Sequence, residues 1–236
     1  MRFHHEAGLA TCGCGRRAAS LSRRQALAAT AAGFVGFLSG RSAAAQTTLS
    51  PDAALARLMD GNARFVSGGL TSFEEDLAIL KQKTVAKQEP FAAVLSCADS
   101  RVPVELVFDQ SIGHVFVCRV AGNVCTPEVI ASLEYGAVVL GVPVIMVLGH
   151  DACGAVKAGI DAKPVPGQIS ALYAPLRPAI ERAGPDLTAA IKANAQIQAD
   201  LLRAASPAIG ALVAGGKMKV VASYYELASG KVMLLG

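Results

Sequence analysis

Four short apolar runs, at 91–95, 115–120, 142–148 and 218–223, stand far apart in this chain, with helix-patterned sequence between them. Runs that are apolar at nearly every position cannot have one face in water. They read as strands buried on both sides, and helical stretches between such strands predict a mostly parallel sheet covered on both faces. The fold class expected is therefore α/β, a central mostly parallel β-sheet flanked by helices. The turn-forming Leu227-Ala-Ser-Gly230 adds a C-terminal hairpin that leads to a last strand over 231–235.

The elements between the strands follow from local signals. Ser50-Pro51-Asp52 supplies a cap residue, a first-turn proline and an acidic neighbour, and Ala54, Leu55, Leu58 and Met59 continue at helical spacing. Gly61-Asn62 and Gly68-Gly69 then punctuate the chain. A helical pattern over 128–140 is broken by Gly141-Val-Pro143, so the strand proper resumes at Val144 and the long apolar region is two elements, not a membrane span. Two more helices are expected over 170–182 and 186–205, separated by Gly184-Pro185.

Charge divides the chain unevenly. The 236 residues carry a formal net charge of +4, but the first 45 hold six Arg and one Glu, and the remainder is close to neutral. No basic patch calls for nucleic acid. The N-terminal excess instead marks an export signal: Ser22-Arg23-Arg24-Gln-Ala-Leu27 precedes a short, weakly hydrophobic stretch, and Ala43-Ala-Ala45 offers a small-residue cleavage pattern. The organisation expected is a cleaved twin-arginine signal over 1–45 and one domain over 46–236. The destination is the periplasm or the outside of the cell, with no stable membrane anchor after cleavage.

Of the six cysteines, Cys12 and Cys14 fall in that leader, and no disulfide framework is evident in the rest. Cys97-Ala-Asp99-Ser-Arg101 directly follows the first apolar run, and His150-Asp-Ala-Cys153 directly follows the third. In an open parallel sheet, ligands bind beyond the carboxyl ends of strands, so two strand-end motifs remote in sequence converge on one crevice. Cys97, His150 and Cys153 then supply two thiolates and an imidazole, a donor set suited to zinc, and leave a fourth tetrahedral corner for water or for Asp99. Singly, each residue reads as packing or as an ordinary polar group; together they recreate a catalytic zinc triad. Beside such a site Asp99 can be held bidentately by Arg101, or can swing in as the fourth ligand.

The chain is similar to the β-class carbonic anhydrases. The stretches that carry the resemblance are Gly61-Asn-Ala-Arg-Phe65, Cys97-Ala-Asp-Ser-Arg101, Arg119-Val-Ala-Gly-Asn123, Ser132-Leu-Glu-Tyr135, Gly149-His-Asp-Ala-Cys-Gly-Ala-Val-Lys157 and Tyr225-Glu-Leu-Ala-Ser-Gly230. The resemblance implies one zinc per subunit on Cys97, His150 and Cys153, an Asp99–Arg101 dyad, and a homodimer or dimer of dimers with its clefts at the subunit interface. It also implies a cleft glutamine at Gln110. Two departures stand out: Val120 occupies a position where Asn is common, and the chain has no Trp, which removes one residue of the bicarbonate-regulated site of some relatives.

The reaction this implies is reversible hydration of carbon dioxide to bicarbonate and a proton. Zinc would make hydroxide available near neutrality, Asp99 would orient it, and apolar residues near Val102 and Val120 would receive the uncharged substrate. The competing readings are hydrolysis of carbonyl sulfide or carbon disulfide on the same fold, a purely structural zinc site, and a Cys97–Cys153 redox pair. The Asp-x-Arg dyad argues against the last two, since neither needs a mobile carboxylate with its own cation.

Overall fold

The computed structural model describes residues 47–72 and 84–236; the expected signal segment lies outside the described residues. The five strands are β1 (Ala92–Ser96), β2 (Val115–Arg119), β3 (Val144–His150), β4 (Lys219–Tyr225) and β5 (Val232–Leu235), in the spatial order β2-β1-β3-β4-β5. The β1–β2, β1–β3 and β3–β4 pairings are parallel, and β5 returns antiparallel to β4. The expected architecture is the observed one.

Both faces of the sheet are covered, as the unbroken apolar runs require. Ala93, Leu95, Ile145 and Val147 pack on one face beneath Ala195, Ala199 and Leu202, while Ala92, Val94, Val144, Met146 and Leu148 pack on the other with Ala54 and Leu58. This alternation is the two-residue period of a strand applied to a sheet with no wet side.

The helices are α1 (Pro51–Ser67), α2 (Val104–Val107), α3 (Pro127–Glu134), α4 (Gly154–Asp161), α5 (Tyr173–Ala183), α6 (Leu187–Ala205) and α7 (Pro207–Ala214). Helix α1 starts as its sequence indicates, with the Ser50 hydroxyl accepting from Ala53 N, and it stops at Gly68, which adopts φ 75°. Gly61-Asn62 does not interrupt it. A side chain at position 61 would sit 1.8 Å from the Phe108 carbonyl oxygen, so the glycine is there for close packing. Asn62, almost fully buried, donates to Val107 O at 3.0 Å and Gly230 O at 2.8 Å and accepts from Val232 N at 2.9 Å. It joins α1 to the β4–β5 hairpin.

The 128–140 helix resolves into α3 and a widened turn over Tyr135–Val139 that ends where Gly141 takes φ 71°. Helices α2 and α7 fall where no helix was expected. The signal for α7 was present, since Ser206 caps it through Ile209 N and Pro207 opens it. Asp109 is the main buried charge on the α1 side. It accepts from Arg64 Nε, Thr71 N, Thr71 Oγ1 and Ser72 N. Burial opposes its ionisation, but these donors outweigh burial and hold the carboxyl well below the usual range. Among the described residues, no helix is long and apolar enough to cross a membrane.

Candidate metal centre

Parallel register places the two strand-end motifs side by side. Ser96 closes β1 opposite Leu148 of β3 and Arg119 of β2, so Cys97 emerges beside the end of β3, where His150 is the last residue. The chain then turns sharply through Ala152, a non-glycine residue at φ 52°, and Cys153 becomes the N-cap of α4. The sulfurs of Cys97 and Cys153 and a ring nitrogen of His150 lie within 4.8 Å of one another, and all three residues are buried.

The imidazole is set for coordination. His150 Nδ1 lies 2.9 Å from Asp151 O, a bond it makes as donor, which leaves Nε2 as the lone-pair nitrogen. Nε2 is buried and, among the described residues, has no hydrogen-bond partner. A buried ring nitrogen without a partner costs free energy unless something outside the chain satisfies it. With two adjacent sulfurs, that something fits a metal ion.

The electrostatics agree. The Cys97 thiol is drawn down, first by its hydrogen bond with Cys153, then by His150 and by the Gly122 amide, against the opposing effect of burial. Cys153 is pushed up by the same shared proton and by burial. Burial lowers the His150 pKa, but the adjacent Cys97 sulfur outweighs it and the net shift is upward. Two sulfurs beside an imidazole are a donor set that suits a bound cation. Both cysteines are free.

Asp99 and Arg101 form the two-pronged pair expected of them. Arg101 Nε donates to Oδ1 at 2.9 Å and Nη2 to Oδ2 at 2.8 Å, and the Arg101 amide also donates to Oδ1 at 2.9 Å. Arg101 holds the Asp99 carboxyl well below the usual range. Asp99 Oδ2 is 3.9 Å from His150 Nε2, so the dyad faces the coordinating end of the ring.

Arg119, quoted only as part of a motif, has a definite place here. Its Nε donates to Cys97 O at 3.0 Å and its Nη2 to Asp99 O at 2.6 Å, which clamps the backbone of the Cys97–Asp99 loop. The other expected site residues are spread more widely. Val120 packs against the cluster that contains Cys97 and Cys153, whereas Val102 is fully buried in the core on the α1 side. Gln110 is nearly fully buried, donates from Nε2 to Phe108 O at 2.8 Å, and lines a separate recess with Arg57, Arg64 and Asp109. The structure does not bring Gln110 to the metal triad of its own subunit.

Comparison with known proteins bears on this geometry directly. Residues 92–232 match the family described as carbonic anhydrase. A carbonic anhydrase of Mycolicibacterium smegmatis is 38% identical over 196 residues, covering 78% of this chain and 93% of that protein. Carbonic anhydrase 2 of Mycobacterium tuberculosis is 36% identical with the same coverage. Among solved structures, a Coccomyxa β-carbonic anhydrase in complex with acetazolamide superposes with a TM-score of 0.61 at 27% identity, covering 77% of this chain and 86% of that one. The sheet order, the convergent donors and these likenesses make one case, and the chain belongs to the β-class carbonic anhydrases.

Proposed function

We propose that the protein hydrates carbon dioxide reversibly at a zinc ion held by Cys97, His150 and Cys153. The observation that carries this is the bare, buried His150 Nε2, grouped with two sulfurs and faced by an ionised Asp99. Bound there, zinc supplies a Lewis acid that makes hydroxide available from water near neutral pH. The protein's own groups do the rest. Asp99, ionised throughout the neutral range, accepts a hydrogen bond from the nucleophile and aims its lone pair. Arg101 fixes Asp99 through two parallel bonds, and Arg119 fixes the backbone that carries both Cys97 and Asp99. Val120 contributes an apolar wall for a linear, uncharged substrate.

The deciding experiment is carbon dioxide hydration by the purified protein before and after treatment with a strong chelator. Activity that vanishes on metal removal and returns with zinc supports the reading; undiminished activity in metal-free protein overturns it. The same preparation reports the assembly. Edge strand β2 carries Phe116, with its ring 6.2 Å from that of Tyr135, and Tyr135, Val138 and Val139 are each close to half exposed. An apolar face at a sheet edge supports pairing with a second copy, so sedimentation is expected to give a dimer or a dimer of dimers, not a monomer.

The N-terminal pattern supports export of the folded domain, residues 46–236, to the periplasm or the outside of the cell. Folding first in the reducing cytoplasm lets Cys97 and Cys153 take up metal before they meet an oxidising compartment. Replacing Arg23 and Arg24 with Lys is expected to leave precursor in the cytoplasm, as read by fractionation. Normal export of the Lys-Lys variant would remove the twin-arginine assignment.

A further inference from the structure

Helix α6 is rich in alanine, yet it buries two carboxamides, Asn194 and Gln198, one turn apart and each about 1% exposed. Buried amides cost free energy unless their polar atoms are paired, and apolar side chains of similar size would pack against this sheet without that demand. Here the pairing is thorough. Asn194 Nδ2 donates to Gly122 O at 2.8 Å, and its Oδ1 accepts from Gln198 Nε2 at 3.1 Å. Gln198 Oε1 accepts from Cys125 N at 2.8 Å, and its Nε2 also reaches Pro175 O at 3.3 Å.

The two amides grip the turn between β2 and α3 at two points, Gly122 O and Cys125 N. Gly122 takes φ 76°, a conformation that glycine adopts without strain, and this points its N–H at Cys97 Sγ, 3.3 Å away. The orientation of each amide is dictated by the next: Gln198 offers its NH₂ to Asn194, so Asn194 must present its own NH₂ to Gly122. A path of hydrogen bonds, joined through the backbone of Gly122, therefore runs from the middle of α6 to one sulfur of the metal triad.

We infer that Asn194 and Gln198 are positioning residues for the metal centre, which hold the Gly122 amide against the Cys97 sulfur. The inference rests on the metal-centre reading above. An N–H donated to a thiolate withdraws charge from the sulfur and holds it in its coordinating rotamer before metal arrives, as outer-shell partners do for ligating imidazoles. Asn194→Leu removes the grip on Gly122, and Gln198→Met leaves Asn194 free to turn over.

The test is cobalt(II) substitution in the full chain, reading the thiolate-to-cobalt charge-transfer band and the affinity measured by competition with a chelator. Asn194→Leu is expected to move the band to longer wavelength, because the sulfur regains charge, and to weaken cobalt binding about 10- to 100-fold. Gln198→Met should shift both in the same direction by less, and carries the test alone if Asn194→Leu does not fold. Leu202→Ala is the control: it empties a fully buried site one turn further along the same helix without removing any hydrogen bond of the relay, so it should lower the melting temperature and leave the band in place. An unchanged band and affinity in the amide variants overturns the inference while leaving the metal centre intact. So does a Leu202→Ala shift equal to theirs. A wild-type chain that takes up no cobalt overturns the metal reading and this inference together.

Discussion

Cys97→Ser, His150→Ala and Cys153→Ser are each expected to release the metal and to lower carbon dioxide hydration by more than about 100-fold, beyond the 10- to 100-fold typical of residues that merely support a ligand. Each change removes one of three protein donors that lie within 4.8 Å of one another. The two thiolates also supply all the negative charge that the ligands place against the cation. A serine hydroxyl at 97 or 153 is a hard donor that stays protonated at neutral pH, so it replaces neither the charge nor the soft sulfur. His150→Ala further opens a cavity at a fully buried position, so its melting temperature should be compared with that of chelated wild type. Metal content measured per subunit beside the hydration rate decides the matter. Full occupancy in any one variant would show that the ligand set is wrong.

These three positions were legible in the sequence because the physics that joins them is simple. Strands of a parallel sheet end on one side, so motifs placed directly after two neighbouring strands must meet. The exact ends were less legible. Strand β3 runs on to His150 because Gly149 and His150 pair with Tyr224 and Tyr225 of β4, some 75 residues away, and no local pattern carries that register. Gly61-Asn62 misled for a related reason. Both residues are poor helix formers, but the glycine makes room for the Phe108 carbonyl and the asparagine ties three segments together, so tertiary demand overrides propensity.

The supporting residues were hidden more deeply. Arg119 was visible as a motif member, but its two carbonyl acceptors lie in a loop twenty residues earlier and become neighbours only through the Ser96–Arg119 register. Asn194 and Gln198 look in sequence like the polar side of an amphipathic helix. A hydrophobic pattern records where polar residues fall, not whether they are solvated or paired, so buried amides are invisible to it. Gln110 shows the converse: a polar residue close in sequence to the motif, which the fold turns toward Phe108.

Asp99→Asn is expected to keep the metal and to lose roughly 10²- to 10⁴-fold in hydration rate, the range typical of a group that handles a proton in the transition state. The variant keeps the shape of the side chain, but the Arg101 fork needs two acceptor oxygens and an amide offers one. The pH dependence separates the roles. Arg101 holds the Asp99 carboxyl below its ordinary range, so Asp99 stays ionised as pH falls from neutrality into the mildly acidic range, and activity lost there does not come from protonating it. It would come from scarcity of hydroxide, which would let the carboxylate itself bind a metal held by Cys97, His150 and Cys153. Arg101→Ala sharpens that competition. Asp99 Oδ2 already lies 3.9 Å from His150 Nε2, and without the fork only the backbone amide of residue 101 still ties the carboxylate back from the donor cluster. The variant should therefore bind metal fully, show almost no hydration even at alkaline pH, and give a cobalt spectrum that no longer changes with pH. A wild-type spectrum equally insensitive to pH, or a fully active Asp99→Asn, would leave Asp99 as a bystander and require another residue to orient the nucleophile.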